Sequence, residues 1–561
     1  MDTLSADVLV VGAGPVGLSL AGELRRHGVA CRLIDQGEGP APVVESRALA
    51  IWERTQEVFA ALGVIDRVRE QARVVHGMNA YAGGRRLLHV GFDLADVDSR
   101  SSCLLTLPQG QTQRILIERL GELGLEVEWR TRLTALSQDE NGVTATLNGP
   151  EGRAESIRAR WLVGCDGAHS AVRHALGLAF EGAGYEEKFL LADARVEWAL
   201  PDDEAHLLLQ PGGGALAAFP LPETGRWRLI DATGIETPHE PARVLTRFAD
   251  LIRDGGISGA TVSDLSWTSP FGLQRRLAER FRVNRAWLAG DSAHVHSPAG
   301  GQGMNTGIQD AANLAWKLAL ATRGRAREVL LDSYEAERRP VANQVLKGTD
   351  VMTRVVTLRG EVPRQVRDSL IGILGEFAFV RRRAAHSLSE LDIAYRDSPV
   401  VGEDRSALLR ALRPASGFAG LRRHLDFGAA PHPGDRAPDV ALTGASDDRP
   451  FRLFDALAGT RHSLLLFPGS EGAPNPTAFE AIKALIRDRY SDLIKVWIVG
   501  GEGAEGVGRA EVLPDPDAAL HHRFGAAASC LYLVRPDGYV GYRAQPPDAG
   551  KLQAYLERII S

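Results

Sequence analysis

The sequence predicts an α/β chain: a Rossmann-like parallel unit carrying a β-sheet insert, followed by a second, thioredoxin-like α/β unit. Three observations predict it. An apolar run, Asp7 to Val11, is followed by Gly12-Ala-Gly14-Pro15-Val16-Gly17 and then by a helical stretch, which is how a βαβ unit opens. Short β-rich segments between residues 181 and 280 are separated by Pro and Gly clusters, as in an antiparallel sheet. From Pro431 onward strand and helix patterns alternate as a unit of their own.

At 561 residues the chain exceeds a single core, and about three units are expected from a prior of roughly 100–200 residues per domain. Hydrophobic content of 44%, charged content of 24% and a net charge of -6 fit a soluble globular protein and argue against a nucleic-acid surface. The N-terminus lacks a basic region and no run of 18 apolar residues occurs, so a cytoplasmic protein without membrane contact is expected. Cys31, Cys103, Cys165 and Cys530 show neither CxxC nor metal-type spacing. Neither disulfides nor a metal are expected.

In chain order, the first strand is followed by a helix from about Pro15 to His27 stopped by Gly28, then by a strand, Ala30 to Ile34, ending at Asp35. Residues 72–107 lack helical periodicity. Gln111 to Leu123 has a helical pattern, and strands are expected near Leu125 to Trp129 and Gly142 to Leu147. Leu190 to Leu200, His206 to Gln210, Leu216 to Leu221 and Trp227 to Ala232 are the strands of the inserted sheet, the natural roof of a substrate pocket. From Arg285 the chain re-enters the first unit, and Val329 to about Arg396 is mostly helical. The last unit runs strand (Ser463 to Phe467), helix (Ala478 to Tyr490), strand (Ile494 to Val499), helix (Asp517 to Phe524), a hairpin around Pro536-Asp537-Gly538, and helix (Lys551 to Ile559). That order resembles thioredoxin. Pro468-Gly469-Ser470-Glu471 stands where a redox member has CxxC, so a structural or oligomeric role is expected.

The glycine motif carries the first chemistry. Gly12 permits the tight turn, Gly14 lets a pyrophosphate approach the backbone, and Gly17 lets helix and strand pack closely. The helix start, with Pro15 setting its first turn and Val16 following, offers free N–H groups to phosphate, and Asp35, with Gln36 beside it, is placed to accept from ribose hydroxyls. A second GxGxxG, Gly501-Glu-Gly503-Ala-Glu-Gly506, is discounted as an acidic surface loop, because Pro514 and Pro516 leave no room for a helix and its glutamates repel phosphate. Two further strand ends carry acids: Cys165-Asp166-Gly167 and Gly290-Asp291. After the second, Gly300, Gly301, Gly303 and Gly307 let backbone lie flat against a flavin ring, and the helix beginning at Met304 and Asn305 points its N-terminus at the ring's pyrimidine edge. FAD is the dinucleotide that these three motifs imply together.

These motifs resemble those of the single-component (class A) flavoprotein aromatic hydroxylases, the family of p-hydroxybenzoate hydroxylase and phenol hydroxylase. The likeness covers roughly residues 1–400, and the C-terminal unit resembles that of the polyketide-tailoring members. It implies a discontinuous FAD-binding domain (1–71, 108–180 and 281–400), a substrate domain (72–107 and 181–280), a linker (401–430) and a thioredoxin-like domain (431–561). Arg47, in Glu45-Ser-Arg47-Ala, resembles a family arginine near the flavin ring and the nicotinamide path. Gln113 resembles a residue on the ribityl or phosphate region, and Pro298 one that shapes the wall beside the reactive flavin carbon. A solvated charge for Arg47 and a surface amide for Gln113 are the alternatives. His294 and His296 lack further ligands, so His294 is a packing or hydrogen-bonding residue. Tyr334 to Pro340 matches a family helix end that ties the unit together.

The resemblance implies hydroxylation of a phenolic or polycyclic aromatic substrate by NAD(P)H and O2, through a flavin hydroperoxide. The flavin carries the hard step; the protein positions substrate and excludes water. Tyr185, Phe219 and Trp227 are candidate pocket residues. A Baeyer–Villiger insertion, a flavin dehydrogenase and a flavin-binding interaction protein are competing readings, and NADH versus NADPH stays open. A homodimer is possible.

Overall fold

A computed structural model describes residues 6–42, 48–92, 99, 103–234, 240–297, 300–356, 378–405, 426–442, 451–470, 476–500 and 511–561, with the side chains of 185–187, 271, 273, 351–382 and 384 outside the description. The fold is the mixed α/β architecture expected, and it divides into two compact units: Met1–Val97 with Ser101–Ala315 and Arg338–Leu391, and Asp98–Arg100 with Trp316–Glu337 and Asp392–Ser561.

In the first unit, strand Ala6–Val11 pairs in parallel with Cys31–Ile34 and with Ala154–Gly164. The sheet order is Arg282–Val283, Ala286–Leu288, Ala154–Gly164, Ala6–Val11, Cys31–Ile34, Val127–Glu128. Val8, Leu9 and Val10 are all fully buried, as the unbroken apolar run requires of a strand covered on both faces. Helix Pro15–Arg26 follows directly, with Gly14 as its N-cap and Pro15 in its first turn.

The second sheet runs His294–Val295, Thr261–Ala278, Phe180–Glu197, Arg226–Asp231, Ala215–Pro220, Glu204–Leu209, Gly77–Ala82, Arg85–Gly91. Residues 72–107, which showed no helical period, thus supply two of its strands, and two more (Arg73–Val75 and Leu104–Thr106) form a small sheet with Ala50–Ile51. One face of the large sheet packs Leu190, Leu208, Leu216 and Leu229 against Val244, Phe248 and Leu251 of helix Pro241–Asp254. The other face presents Met78, Leu88, Val90 and Phe219 to Ala50, Trp52, Phe92 and Leu104.

The second unit has a six-stranded sheet, Gly402–Asp404, Val540–Ala544, Cys530–Val534, His462–Phe467, Ile494–Val499, Glu511–Leu513. Trp316, Leu320 and Leu330 share its core with Leu464, Leu466, Phe479 and Leu531. Residues 316–337, expected within the 281–400 portion of the nucleotide unit, therefore pack here: apolar pattern alone does not say which core a helix face enters. The acidic loop 501–510 lies outside the described residues.

Candidate active site

The glycine turn is closed by sterics. Gly12 has φ +104°, and a Cβ there would overlap the Cys165 carbonyl, while one at Gly17 would overlap the Gly12 carbonyl oxygen. Gly14 has nothing within 4 Å of where its Cβ would be, so the helix start lies open. Asp35 accepts from Ala13 N–H (2.7 Å) and Gly37 N–H (2.7 Å), which pins the turn while leaving each oxygen a further lone pair. Gln36 is exposed beside it. Gln113 is buried on helix Gln109–Glu122, donates from Nε2 to Ala13 O (3.0 Å), and has no partner for its Oε1.

Asp166 and Gly167 (φ +76°) end strand Ala154–Gly164 one turn before helix Ala171–Ala175. Asp166 Oδ2 accepts from Val172 N–H (3.1 Å), whereas its buried Oδ1 has no partner. Burial pushes this carboxyl up, against hydrogen bonds from Ser170 and Val172. Two buried acceptors with unused lone pairs, Gln113 Oε1 and Asp166 Oδ1, and an open helix start fit a ligand rich in hydroxyl and phosphate groups such as FAD.

The third motif is joined to the first. A Cβ at Gly290 (φ +63°) would lie 2.8 Å from Val16 Cγ2, and one at Gly307 would lie 2.6 Å from the same atom. Asp291 is exposed on the following turn. Gly290 N–H donates to Asp310 (3.0 Å), which also accepts from His294 Nε2 (2.7 Å) and Arg338 Nε (2.6 Å). Burial would raise the Asp310 carboxyl, but Arg338 and His294 outweigh it and hold it below the ordinary range. His294 and Arg338 thus fix the acid turn from beneath.

Helix Gly303–Thr322 starts at the end of the glycine run, where Gly300 and Gly301 have φ +92° and +64°. Asn305 Oδ1 accepts from Trp52 N–H (2.9 Å), and its Nδ2 donates to Ala50 O (2.9 Å) and Gly301 O (2.8 Å). Trp52 Nε1 donates to Gly300 O (2.9 Å). The Asn305 amide is therefore spent on clamping the loop, which leaves its backbone for a cofactor; Met304 beside it is buried. His296 packs on Gly303, and burial, with His294 nearby, lowers its imidazole to about 4, so it is neutral at neutral pH. Thr306 and Gln309 donate to buried Glu390 (3.0 and 2.5 Å).

Arg47 and Pro298, the expected catalytic pair, lie outside the described residues, as does the Tyr185 side chain. Phe219 faces the Trp52 cluster beside the glycine loop. Trp227 does not: it is 1% exposed and packs with Leu229, Val244 and Phe248 on the helix-covered face, 4.7 Å from Trp198. Strand parity is the reason, and its neighbour Arg228 takes the other face. Trp52, Asn305 as a clamp, Glu390 and Arg228 were not marked by any local motif. Among the described residues no group of three or more His, Cys, Asp or Glu side chains is arranged to hold a metal, and no helix is long and apolar enough to cross a membrane.

The FAD binding domain family matches residues 5–349, and the aromatic-ring hydroxylase C-terminal family matches residues 430–561. The chain is 35% identical over 562 residues to 6-methylpretetramide 4-monooxygenase of Streptomyces rimosus, covering 98% of this chain and 93% of that protein. It is 32% identical to pentachlorophenol 4-monooxygenase of Sphingobium chlorophenolicum, covering 96% and 94%. Among solved structures, the anhydrotetracycline hydroxylase OxyS of Streptomyces rimosus superposes with a TM-score of 0.72 at 30% identity, over 99% of both chains. Aklavinone-11 hydroxylase, solved with FAD and aklavinone, superposes with a TM-score of 0.76 at 26% identity, over 100% of this chain and 99% of the other.

Proposed function

The chain belongs to the FAD-dependent aromatic-ring hydroxylases, and from that premise we propose that its substrate is a polycyclic, polyketide-type aromatic rather than a simple phenol. It is a flavoprotein monooxygenase that uses a reduced nicotinamide and O2. The observation that carries the substrate reading is the clamped glycine loop beside an apolar sheet face: Trp52 and Asn305 tie Gly300 and Gly301 to the cluster containing Phe219, Met78, Leu88 and Val90. Relatives named for pretetramide and tetracycline substrates support this reading.

Bound FAD supplies oxygen activation; the chain supplies the geometry. Gly12, Gly14, Pro15, Val16 and Gly17 would cradle the pyrophosphate, and Asp35 the adenosine ribose, with Gln36 alongside. Gln113 Oε1, Asp166 Oδ1 and Asp291 would accept from the remaining hydroxyl groups, with Gly167 and Gly290 permitting the turns that present them. Gly301, Gly303, Met304 and Asn305 would back the ring through main-chain groups, and helix Gly303–Thr322 favours negative charge at its start. Arg47 and Pro298 are assigned the nicotinamide path and the ring wall on the resemblance alone. The apolar face excludes water, which limits loss of reducing equivalents to hydrogen peroxide. A cytoplasmic location, where reduced nicotinamide is abundant, belongs to the same reading, and so does a homodimer, which sedimentation would test.

Purified protein should carry FAD and oxidise NAD(P)H with consumption of O2 when given a polycyclic phenol such as a hydroxylated anthraquinone, and product mass should rise by one oxygen atom. A ring-expanded product would replace hydroxylation by Baeyer–Villiger insertion, and turnover restricted to monocyclic phenols would overturn the substrate class.

A further inference from the structure

Phe219, Arg228, Asp193 and Trp267 are successive cross-strand partners over four neighbouring strands of the large sheet. Directly opposed residues share a face, so these four side chains stand in one row. Trp227 and Leu229, on either side of Arg228, enter the core under helix Pro241–Asp254, so the row lies on the opposite face, the one that meets the glycine loop through Phe219 and Trp52. Phe189, Leu191 and Ile230 lie around the row, and the next opposed pair on the same face, Arg195 and Arg226, is turned to Glu223 and Asp264.

An ion pair stands in its middle. Arg228, 1% exposed, approaches Asp193 side-on: Nε donates to Oδ1 and Nη2 donates to Oδ2 (2.8 Å). Its Nη1 has no hydrogen-bond partner. The half-buried Trp267 ring covers the guanidinium at 5.0 Å from its centroid. A buried cationic N–H group without an acceptor is costly, and an ion pair in an apolar setting brings no compensating stability of its own. The arrangement makes sense when an acceptor arrives from outside the protein.

We propose that Arg228 is the specificity-determining anchor for an ionised oxygen of the aromatic substrate, a phenolate, enolate or carboxylate on a fused-ring system. Asp193 fixes the planar fork so that Nη1 is the donor left for the ligand. The substrate oxygen reaches Nη1 by displacing the edge of Trp267, whose ring then stacks on the fused rings with Phe219 at the other end of the row. This assignment rests on the aromatic-hydroxylase reading above and deepens it from ring size to ring charge.

The test is a binding titration that needs no turnover, followed through tryptophan and flavin fluorescence of the oxidised holoenzyme. The probes are lawsone, a hydroxynaphthoquinone ionised at neutral pH, and its neutral methyl ether. Wild-type protein should bind lawsone more tightly than the ether by about tenfold, or about 1.4 kcal/mol. Arg228→Leu should remove that preference, with the affinity for the ether changed by less than about twofold. Because Asp193 is then left buried and unpaired, the Asp193→Leu/Arg228→Leu double variant, in which both charges go together, should show the same loss of preference in a fold of restored thermal stability. Wild-type discrimination below about twofold, or a double variant that keeps the preference for lawsone, overturns the anchor. A wild-type protein that discriminates between the probes yet oxidises no NAD(P)H with any arene would instead overturn the monooxygenase reading.

Discussion

Glu53 opens helix Glu53–Leu62 directly after Trp52, is 1% exposed, and has no partner for Oε2. Burial, reinforced by the negative charges of Glu57 and Glu390, raises its carboxyl to about 8. The native state keeps a proton that the unfolded chain releases near pH 4, so the fold loses stability as pH rises from about 4 to 8. Glu53→Gln, neutral throughout, should therefore raise the melting temperature by a few degrees at pH 8 and change it little near pH 4.5, as calorimetry at the two pH values would measure. An equal shift at both would show that packing, not charge, sets the effect. Nothing in the local sequence marks Glu53, since burial of one acid depends on what the fold stacks over it. Trp227 makes the same point about direction: a large aromatic on a strand was visible, but which of Trp227 and Arg228 faces the glycine loop depends on the position of helix Pro241–Asp254. Gln113 was singled out through the family likeness, and the structure leaves its buried Oε1 without a partner.

Helix and turn elements were legible where a backbone constraint is written into a few adjacent residues. Gly12, Gly14 and Gly17 announce their turn because any side chain at Gly12 or Gly17 would meet a carbonyl. Strands such as Gly77–Ala82 and Leu104–Thr106 were not, because each is short and draws its partners from distant sequence. At Gly307, in the second turn of helix Gly303–Thr322, an added methyl would lie 2.6 Å from Val16 Cγ2 and 3.1 Å from Gly290 Cα. That contact holds the first and third motifs in register, so crowding it separates the two halves of the proposed cofactor site. Gly307→Ala should lower FAD affinity about tenfold, seen as a reduced flavin-to-protein absorbance ratio after gel filtration. Val16→Ala in the same chain removes the opposing methyls and should recover most of the flavin. A Gly307→Ala protein that retains full flavin would show that the helix start can shift without loosening the site.

At the scale of the whole molecule, the thioredoxin-like order of the C-terminal unit was legible because turn residues separate its elements cleanly, whereas the recruitment of residues 316–337 into that unit was not. A buried charge cluster locks the recruited segment in place. Glu337 accepts from Lys317 (2.7 Å), from Ser398 (2.7 Å) and from both terminal nitrogens of Arg535 (2.7 and 3.0 Å), and Arg535 also pairs with Asp537. Burial lowers the Lys317 ammonium to about 8, with Glu337 opposing that fall. Removing Glu337 alone leaves two buried cations short of one counter-charge, which typically costs about 3–5 kcal/mol. Glu337→Ala should therefore lower the denaturant midpoint by that equivalent. Glu337→Gln, which keeps an acceptor for Lys317 and Arg535, should lose distinctly less. Because the cluster is carried by the same unit as the segment 392–561, the loss should appear in the unfolding of that unit, as probed by hydrogen exchange in strands His462–Phe467 and Cys530–Val534. If exchange there stays at wild-type protection while the Pro15–Arg26 helix opens, the cluster serves the nucleotide unit instead, and residues 316–337 are mere linkage rather than part of the C-terminal core.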